Sequence, residues 1–567
     1  MDFEGRHNIG VEELSPPDLD HVSTKPLLHP VMVVSPIALA VSACGGGTET
    51  AASPSAAAPP VPAPPPSPPP TMTQSSRFLA QASMGATDAD IAAVVSQGID
   101  GWLGSQFSMT RATTFWDWLV SKGYTTPINY SRDDGFDAMI WNQLITGKDQ
   151  LRQRVGVALM SMLVVGIDGV YPLWRQFSMA SYMDVLWENA FGNYRTLLEK
   201  ISTSTVMGRY LTFQGSKKAN GQGAMPDENY ARELMQLFTI GLYQLNLDGT
   251  QKLTGGKPIE TYTQADIVGL ARVFTGWQTD ENSVWNAFDH SKAPMVQYPA
   301  DHELGEKTFL GTTIPAGTDG VKSLKIALDT LFAHPNVAPF VCKQLIQHLV
   351  TSNPTPAYVQ RVATVFENNG SGVRGDLRSV IRAILMDVDA RNDAAAVAST
   401  TFGKVREPLL RFTGWARAFN ATSPSEKWQV TTGQNVGQSP SVFNYFRPGY
   451  VPPGSALAAA SLVGPEFQII NEVTVPSYIN FILVSLRDGW GDVKGEYSEF
   501  VAKAADSQGL LDLINLRLAA NQVSPAAIAQ IKTAVDSISS ATPADLLNRV
   551  YTAAILIMAS PEYIILK

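Results

Sequence analysis

The sequence predicts a mainly α protein: a large multi-helix globular domain with at most a small β-hairpin. Three observations lead there. Apolar residues recur at spacings of three and four along most of the chain beyond residue 75. Helix-start signals precede several of those stretches. Long helices do not alternate with aliphatic strands, so a doubly wound sheet is not expected. The chain has 567 residues, 45% of them hydrophobic, which is material for one large buried core.

Taken in order, Thr87-Asp88-Ala89-Asp90 forms a capping-box start, with Gly98 as the stop of the helix that follows. The nearly unbroken apolar run in 150–165, bounded by Arg152 and Arg154, is too short to span a bilayer and reads as a buried core helix. Met183, Trp187, Ala190, Tyr194 and Leu197 mark one buried helical face. Residues 215–225 read as an exposed loop. The best strand signal is 243–247 and 250–253 joined by Asp248-Gly249, a type I′ dipeptide. Thr263-Gln264-Ala265-Asp266 starts a helix that ends near Phe274-Thr275-Gly276-Trp277. The same four letters recur at 412–415, and both copies are expected at helix C-termini. Cys342 lies in an apolar helical pattern and reads as a small buried hydrophobe. Thr542-Pro543-Ala544-Asp545 starts the last long helix.

The N-terminal region carries an address. Residues 31–43 are uncharged and mostly apolar, too short to cross a membrane and suited to a signal-peptide core. They end in Val41-Ser42-Ala43-Cys44-Gly45, which resembles the bacterial lipobox, with Cys44 as the acylated thiol. The alternative is an ordinary signal peptide in which Cys44 is incidental. The segment ahead is long and acidic where a short basic one is expected, as a start codon assigned too far upstream would explain. Removing residues 1–43 takes away two bases and six acids and changes the formal charge from −9 to −5. Residues 51–70 hold ten of the 37 prolines, so an extended polyproline II arm is expected, roughly 60 Å long at ~3.1 Å per residue. The expected organisation is a lipoprotein-type signal peptide with an atypical extension (1–43), a Pro/Ala-rich tether (44–74) and a helical domain (75–567). Gly45 rather than Asp after the cysteine favours the outer membrane of a Gram-negative cell.

Composition excludes other classes. Net charge −9 with 16% charged residues gives no basic field for nucleic acid. Two cysteines make no disulfide scaffold. Gly370-Ser371-Gly372-Val373-Arg374-Gly375 matches a dinucleotide-binding spacing, but it follows a helical pattern rather than a strand and reads as a helix-to-helix loop. His302-Glu303 lacks the second histidine of a zinc protease one turn on. No cofactor is predicted.

Two constellations remain. In 226–234, Glu228 and Arg232 are i,i+4 partners in the favourable order. Asn229, Glu233 and Gln236 form a polar strip beside an apolar one of Tyr230, Leu234, Leu237 and Phe238. Glu228 and Glu233 are candidates for an acid/base pair; the alternative is a helix-start salt bridge with a polar buttress. The four histidines beyond residue 43 all lie between 290 and 348. Asp301 is a candidate to orient His302, His334 to cap the helix after Pro335, and His348 to be a core residue. His302 is thus a third catalytic candidate. Asn229, Tyr230, Arg232, Lys307, His334 and His348 are the binding candidates, and a converging metal-ligand set is not evident.

The stretches RFLAQASMGAT (77–87), AFGNYRTLL (190–198), ENYARELMQLFTIGL (228–242), YTQADIVGLARVFTGW (262–277), GEKTFLG (305–311), the run 334–354 and SPEY (560–563) resemble the domain of unknown function 1800 family. The resemblance covers nearly all of 77–567 and implies a helical, exported bacterial protein. It also implies a partner of the domain of unknown function 1501 family, and no established reaction. Relatives commonly carry Asn at the position of Asp227, and Asp at that of Glu303. Two functions are expected. The first is a tethered envelope protein binding another exported protein or a surface polymer, with its eleven tryptophans and seventeen tyrosines as a reservoir of stacking surface for polysaccharide. The second is an envelope hydrolase with Glu228, Glu233 and His302 facing one cleft.

Overall fold

The computed structural model describes residues 68–567 apart from 221, 285, 429 and 431. The predicted signal peptide, the lipid-attachment residue Cys44 and the tether as far as residue 67 lie outside the described residues. The described residues form one compact unit.

Among the described residues, 24 α-helices carry the fold, and the strands form four two-stranded antiparallel pairs. Local chemistry places the helix starts where the sequence does. Thr71 and Gln74 form a capping box at Met72–Ala82, so helix begins ahead of residue 75. The boxes at Thr87/Asp90, Thr263/Asp266 and Thr542/Asp545 open Asp88–Ser108, Gln264–Ala271 and Pro543–Ala559. Gly98 is the one non-helical residue inside Asp88–Ser108, with φ 71°. The chain breaks there as expected, then resumes helix.

Gln150–Met162 is the central helix, buried almost throughout. Arg154 is enclosed with it and donates to the carbonyl oxygens of His348 (2.8 Å) and Gln81 (3.3 Å). Cys342 is fully buried on Val337–Leu349.

Three local expectations need correction. The face running from Met183 to Leu197 is buried, but it belongs to two helices, Arg175–Glu188 and Tyr194–Ser202. Asn193 starts the second by accepting from the Arg195 N–H, 2.9 Å. The second Phe-Thr-Gly-Trp lies inside Pro408–Ala418 rather than at its end. Gly85 is what permits close approach to it there: a Cβ on Gly85 would stand 2.8 Å from the Gly414 Cα. At 243–253 the Asn246 N–H donates to the Thr250 oxygen (2.8 Å) and only Gly249 has positive φ, 77°. The turn is therefore a three-residue loop closed by one left-handed residue, not a type I′ pair. Gln244 also accepts from Lys252 and donates to Ile259, so a third segment joins the hairpin.

Candidate functional site

The sequence candidates fall into separate places. Glu228 lies at the start of Asn229–Glu233, pairs with Arg232 at 3.3 Å and accepts from Gln264 Nε2 at 2.7 Å. This is a half-exposed brace between two helix starts. Asn229 is exposed, and its N–H is held by Asp227. Tyr230 is fully buried, stacked on Phe213 at 4.1 Å, with its hydroxyl 2.6 Å from Ser202 Oγ. Burial pushes that hydroxyl's pKa up.

His302 is fully buried, and its Nδ1 lies 2.9 Å from the Thr275 oxygen and 3.2 Å from Thr275 Oγ1. Asp301 does not orient it, because that carboxylate pairs with Lys217 at 3.2 Å. Burial lowers the His302 pKa, and the charges acting on it are Lys307, Glu303 and Asp319. Glu233 is 8% exposed, with a pKa raised by burial against the pull of Arg232, and its Oε2 has no hydrogen-bond partner. It acts in turn on Tyr210 and Tyr262. The two environments share no residue.

Lys307 is buried and donates to the Gly305 oxygen. His334 Nδ1 accepts from the Asn336 N–H at 3.1 Å, just ahead of Val337–Leu349, whose first turn has no side-chain cap. Burial, helped by Lys404 and Arg154, holds His348 neutral, its pKa pushed down to about 3. A cluster of three or more metal-ligating residues is absent among the described residues.

A ligand-sized cavity lies elsewhere, and the Glu233 segment leads into it. After Glu233 the helix widens: Ile240 and Gly241 both donate to the Met235 oxygen, at 2.9 and 3.0 Å, and Leu234–Thr239 is a π-helical turn. Such turns concentrate at functional sites. This one brings Gln236 and Leu237 to a cleft of about 620 Å³, within the ~300–1,000 Å³ common for small-ligand sites.

One wall is the helix Val337–Leu349, which presents Phe340, Lys343, Gln344 and Gln347 at i, i+3, i+4 and i+7. The facing wall is irregular chain from 442–449 and 461–463. Its placement is specified by polar bonds. Gln347 Nε2 donates to the oxygens of Ser352 (2.9 Å) and Pro448 (3.3 Å). Asn353 makes a two-way pair with the Val463 backbone, 2.9 Å each way. Ser352 reaches Glu466 at 3.4 Å, and Glu466 pairs with Lys404 at 3.1 Å. Lys404 also pairs with Glu407 at 2.8 Å, so a buried ion cluster stands behind the cleft.

What faces the space is different in kind. Gln344 is 8% exposed, and its Nε2 has no hydrogen-bond partner. Burial alone lowers the Lys343 pKa, with no carboxylate to offset it. The Arg447 guanidinium lies 4.4 Å over the Phe443 ring. The lining includes no Asp, Glu or His.

Sequence reasoning named only the cleft's edge, Gln236 and Leu237. The missed signal is the polar stripe Lys343-Gln344-Gln347 on an otherwise apolar helix, a stripe that reads as a solvated face until the 442–463 chain is seen to cover it.

A family model described as "Protein of unknown function (DUF1800)" matches residues 77–565. The comparisons with curated proteins and with solved structures return no match.

Proposed function

The chain belongs to the DUF1800 family, and on that footing we propose that it is a lipid-anchored cell-envelope protein that binds a ligand in the Gln236–Lys343–Arg447 cleft. The anchor rests on the Val41–Gly45 lipobox and the proline-rich stretch after it. The binding role rests on one observation: a ligand-sized, mostly apolar cleft whose polar lining is amides, hydroxyls and two cations, with no carboxylate or imidazole to move a proton. Recognition is what such a set does. The ligand is carried by another exported molecule, a protein such as a DUF1501 member or a surface polymer.

The test has two parts. Mass spectrometry of the envelope-bound protein is expected to find diacylglycerol on Cys44, and Cys44→Ala to release the protein from membranes. A photo-crosslinker at Leu462, on the cleft wall, is expected to capture an envelope component in intact cells, and the same group at the remote exposed Val321 is not. An unmodified amino terminus refutes the anchor; equal capture at both positions refutes the cleft.

A second reading rests on Glu233. A carboxyl with a raised pKa and an unpaired oxygen, one turn before Gln236, has the properties of a general acid in a hydrolase. Glu233→Gln is the discriminating variant: loss of function in a normally folded protein supports hydrolysis, and retention removes it.

A further inference from the structure

We infer that the ligand of this cleft is an anionic sugar unit, its acidic group answered by Lys343 and Arg447, its hydroxyls by Gln344, and its ring face by the flanking aromatic residues. The inference deepens the binding reading above and rests on it.

Three observations carry it. The first is the unpartnered Gln344 amide. A buried N–H left without an acceptor is unfavourable by about 1–3 kcal/mol, and the neighbouring Gln347, one turn along the same helix, has both its contacts within the protein. Gln344 faces the cleft instead. A primary amide offers two donors and an acceptor on one plane, which matches adjacent hydroxyls, each a donor and an acceptor.

The second is charge. Lys343 and Arg447 form no ion pair among the described residues, and none of the lining residues is acidic. With no acidic residue in the lining to neutralise them, these two cations favour an anion.

The third is what the cleft lacks. A peptide that binds by strand addition would need a free strand edge to pair with. The hairpin beside the cleft has none to offer at its near residues: the Gln244 N–H and oxygen are spent on Ile259 and Lys252, and the Leu245 N–H on Asn336 Oδ1 at 2.9 Å. Phe340 and Phe443, both half-exposed, supply ring surface instead, suited to the apolar faces of a sugar ring.

The test is equilibrium binding of the full-length protein in detergent to trigalacturonate, to a galactose disaccharide bearing one sulfate, and to its desulfated form. A hexaglutamate peptide is the fourth probe. At least one acidic sugar is expected to saturate the protein. Which one binds separates a carboxylate from a sulfate ligand. Lys343→Gln and Arg447→Gln are each expected to weaken that binding by about tenfold. Gln344→Leu is expected to weaken it as much while leaving the thermal midpoint unchanged or higher, since it removes an unsatisfied buried group. Saturation by neither acidic sugar overturns the inference, as does unchanged affinity in Gln344→Leu. Equally tight binding of hexaglutamate or of the desulfated disaccharide also overturns it. In each case capture by the Leu462 crosslinker decides separately whether the cleft is a binding site at all.

Discussion

Replacing Lys404 by Met is the sharpest probe of how the cleft is held in place. The Lys404 ammonium is fully enclosed and meets Glu407 at 2.8 Å, Glu466 at 3.1 Å and the His348 oxygen at 3.0 Å. At an effective dielectric of about 20, each ion contact near 3 Å is worth on the order of 5 kcal/mol before desolvation. Methionine fills similar volume but leaves two buried carboxylates facing each other, with Arg154 the remaining cation whose charge couples to both. Removing one partner of a buried pair destabilises by about 3–5 kcal/mol, and that is the expected loss in urea denaturation at pH 7.5. The two carboxylates are not equivalent. Burial raises Glu407, but Lys404, His348 and Arg154 outweigh it and hold its pKa down at about 2. Burial raises Glu466, with Glu407 adding to the rise and Lys404 opposing it. Glu466 is therefore the group that takes up a proton once Lys404 is gone. With its folded pKa above the unfolded value, the variant's native state binds more protons across that window. Its stability falls as pH rises through the window, so the deficit is largest above it and shrinks in acid. Lys404→Met/Glu466→Gln is expected to recover more than half of the loss at pH 7.5. A loss under about 1 kcal/mol, one independent of pH, or one the second substitution leaves intact would refute the argument.

Two further outcomes are expected. Burial, then the Asp133 charge, lifts the Asp137 carboxyl to about 6 against the pull of Gln438; its contribution to stability is full below the unfolded pKa and is lost as pH rises through about 6. Asp137→Asn is thus expected to raise stability at pH 7.5 by about 1–2 kcal/mol and to change nothing at pH 3.5, as read by denaturant midpoints at the two pH values. Gly269 packs the Gln264–Ala271 helix against the strand Lys307–Phe309, and a Cβ there would lie 1.8 Å from the Thr308 oxygen. Gly269→Ala is expected to lose about 3 kcal/mol or more, or soluble protein altogether; a thermal midpoint equal to wild type would contradict it.

Legibility in the sequence followed the range of the interaction. Helix starts were readable because a capping box closes within four residues, as at Thr87, Thr263 and Thr542. The glycine loop at 370–375 was readable because it lacks the strand its alternative needs, and it joins Pro356–Glu367 to Leu377–Met386. Gly414 is mid-helix rather than at a helix end because Pro408–Ala418 runs on past it, and its backbone is met there by Gly85, far away along the chain. Asp301 next to His302 is a reasonable pair by adjacency, but Asp301 closes the 3-10 turn Pro299–Asp301 and its carboxylate goes to Lys217, so Thr275 fills the role. The cleft was least legible. Gln344 and Gln347 look alike on the helix surface, and only the chain some hundred residues later distinguishes them.

That distinction bears on what the cleft is for. A wall of irregular chain needs side-chain bonds to hold it, because it has no ladder of its own. Gln347, Asn353 and Ser352 supply them, and the ion cluster at Lys404 stands behind Ser352. Were the polar stripe merely structural, Gln344 would be expected to join this set, since the same wall passes within the cleft it faces. It does not: its Nε2 makes no hydrogen bond to the protein, and no acidic residue stands in the lining beside Lys343 and Arg447. Fixed groups frame the space and unspent groups look into it, which is the arrangement of a preorganised binding site. Removing the unsatisfied amide, as Gln344→Leu does, is therefore expected to trade affinity for stability rather than to improve both.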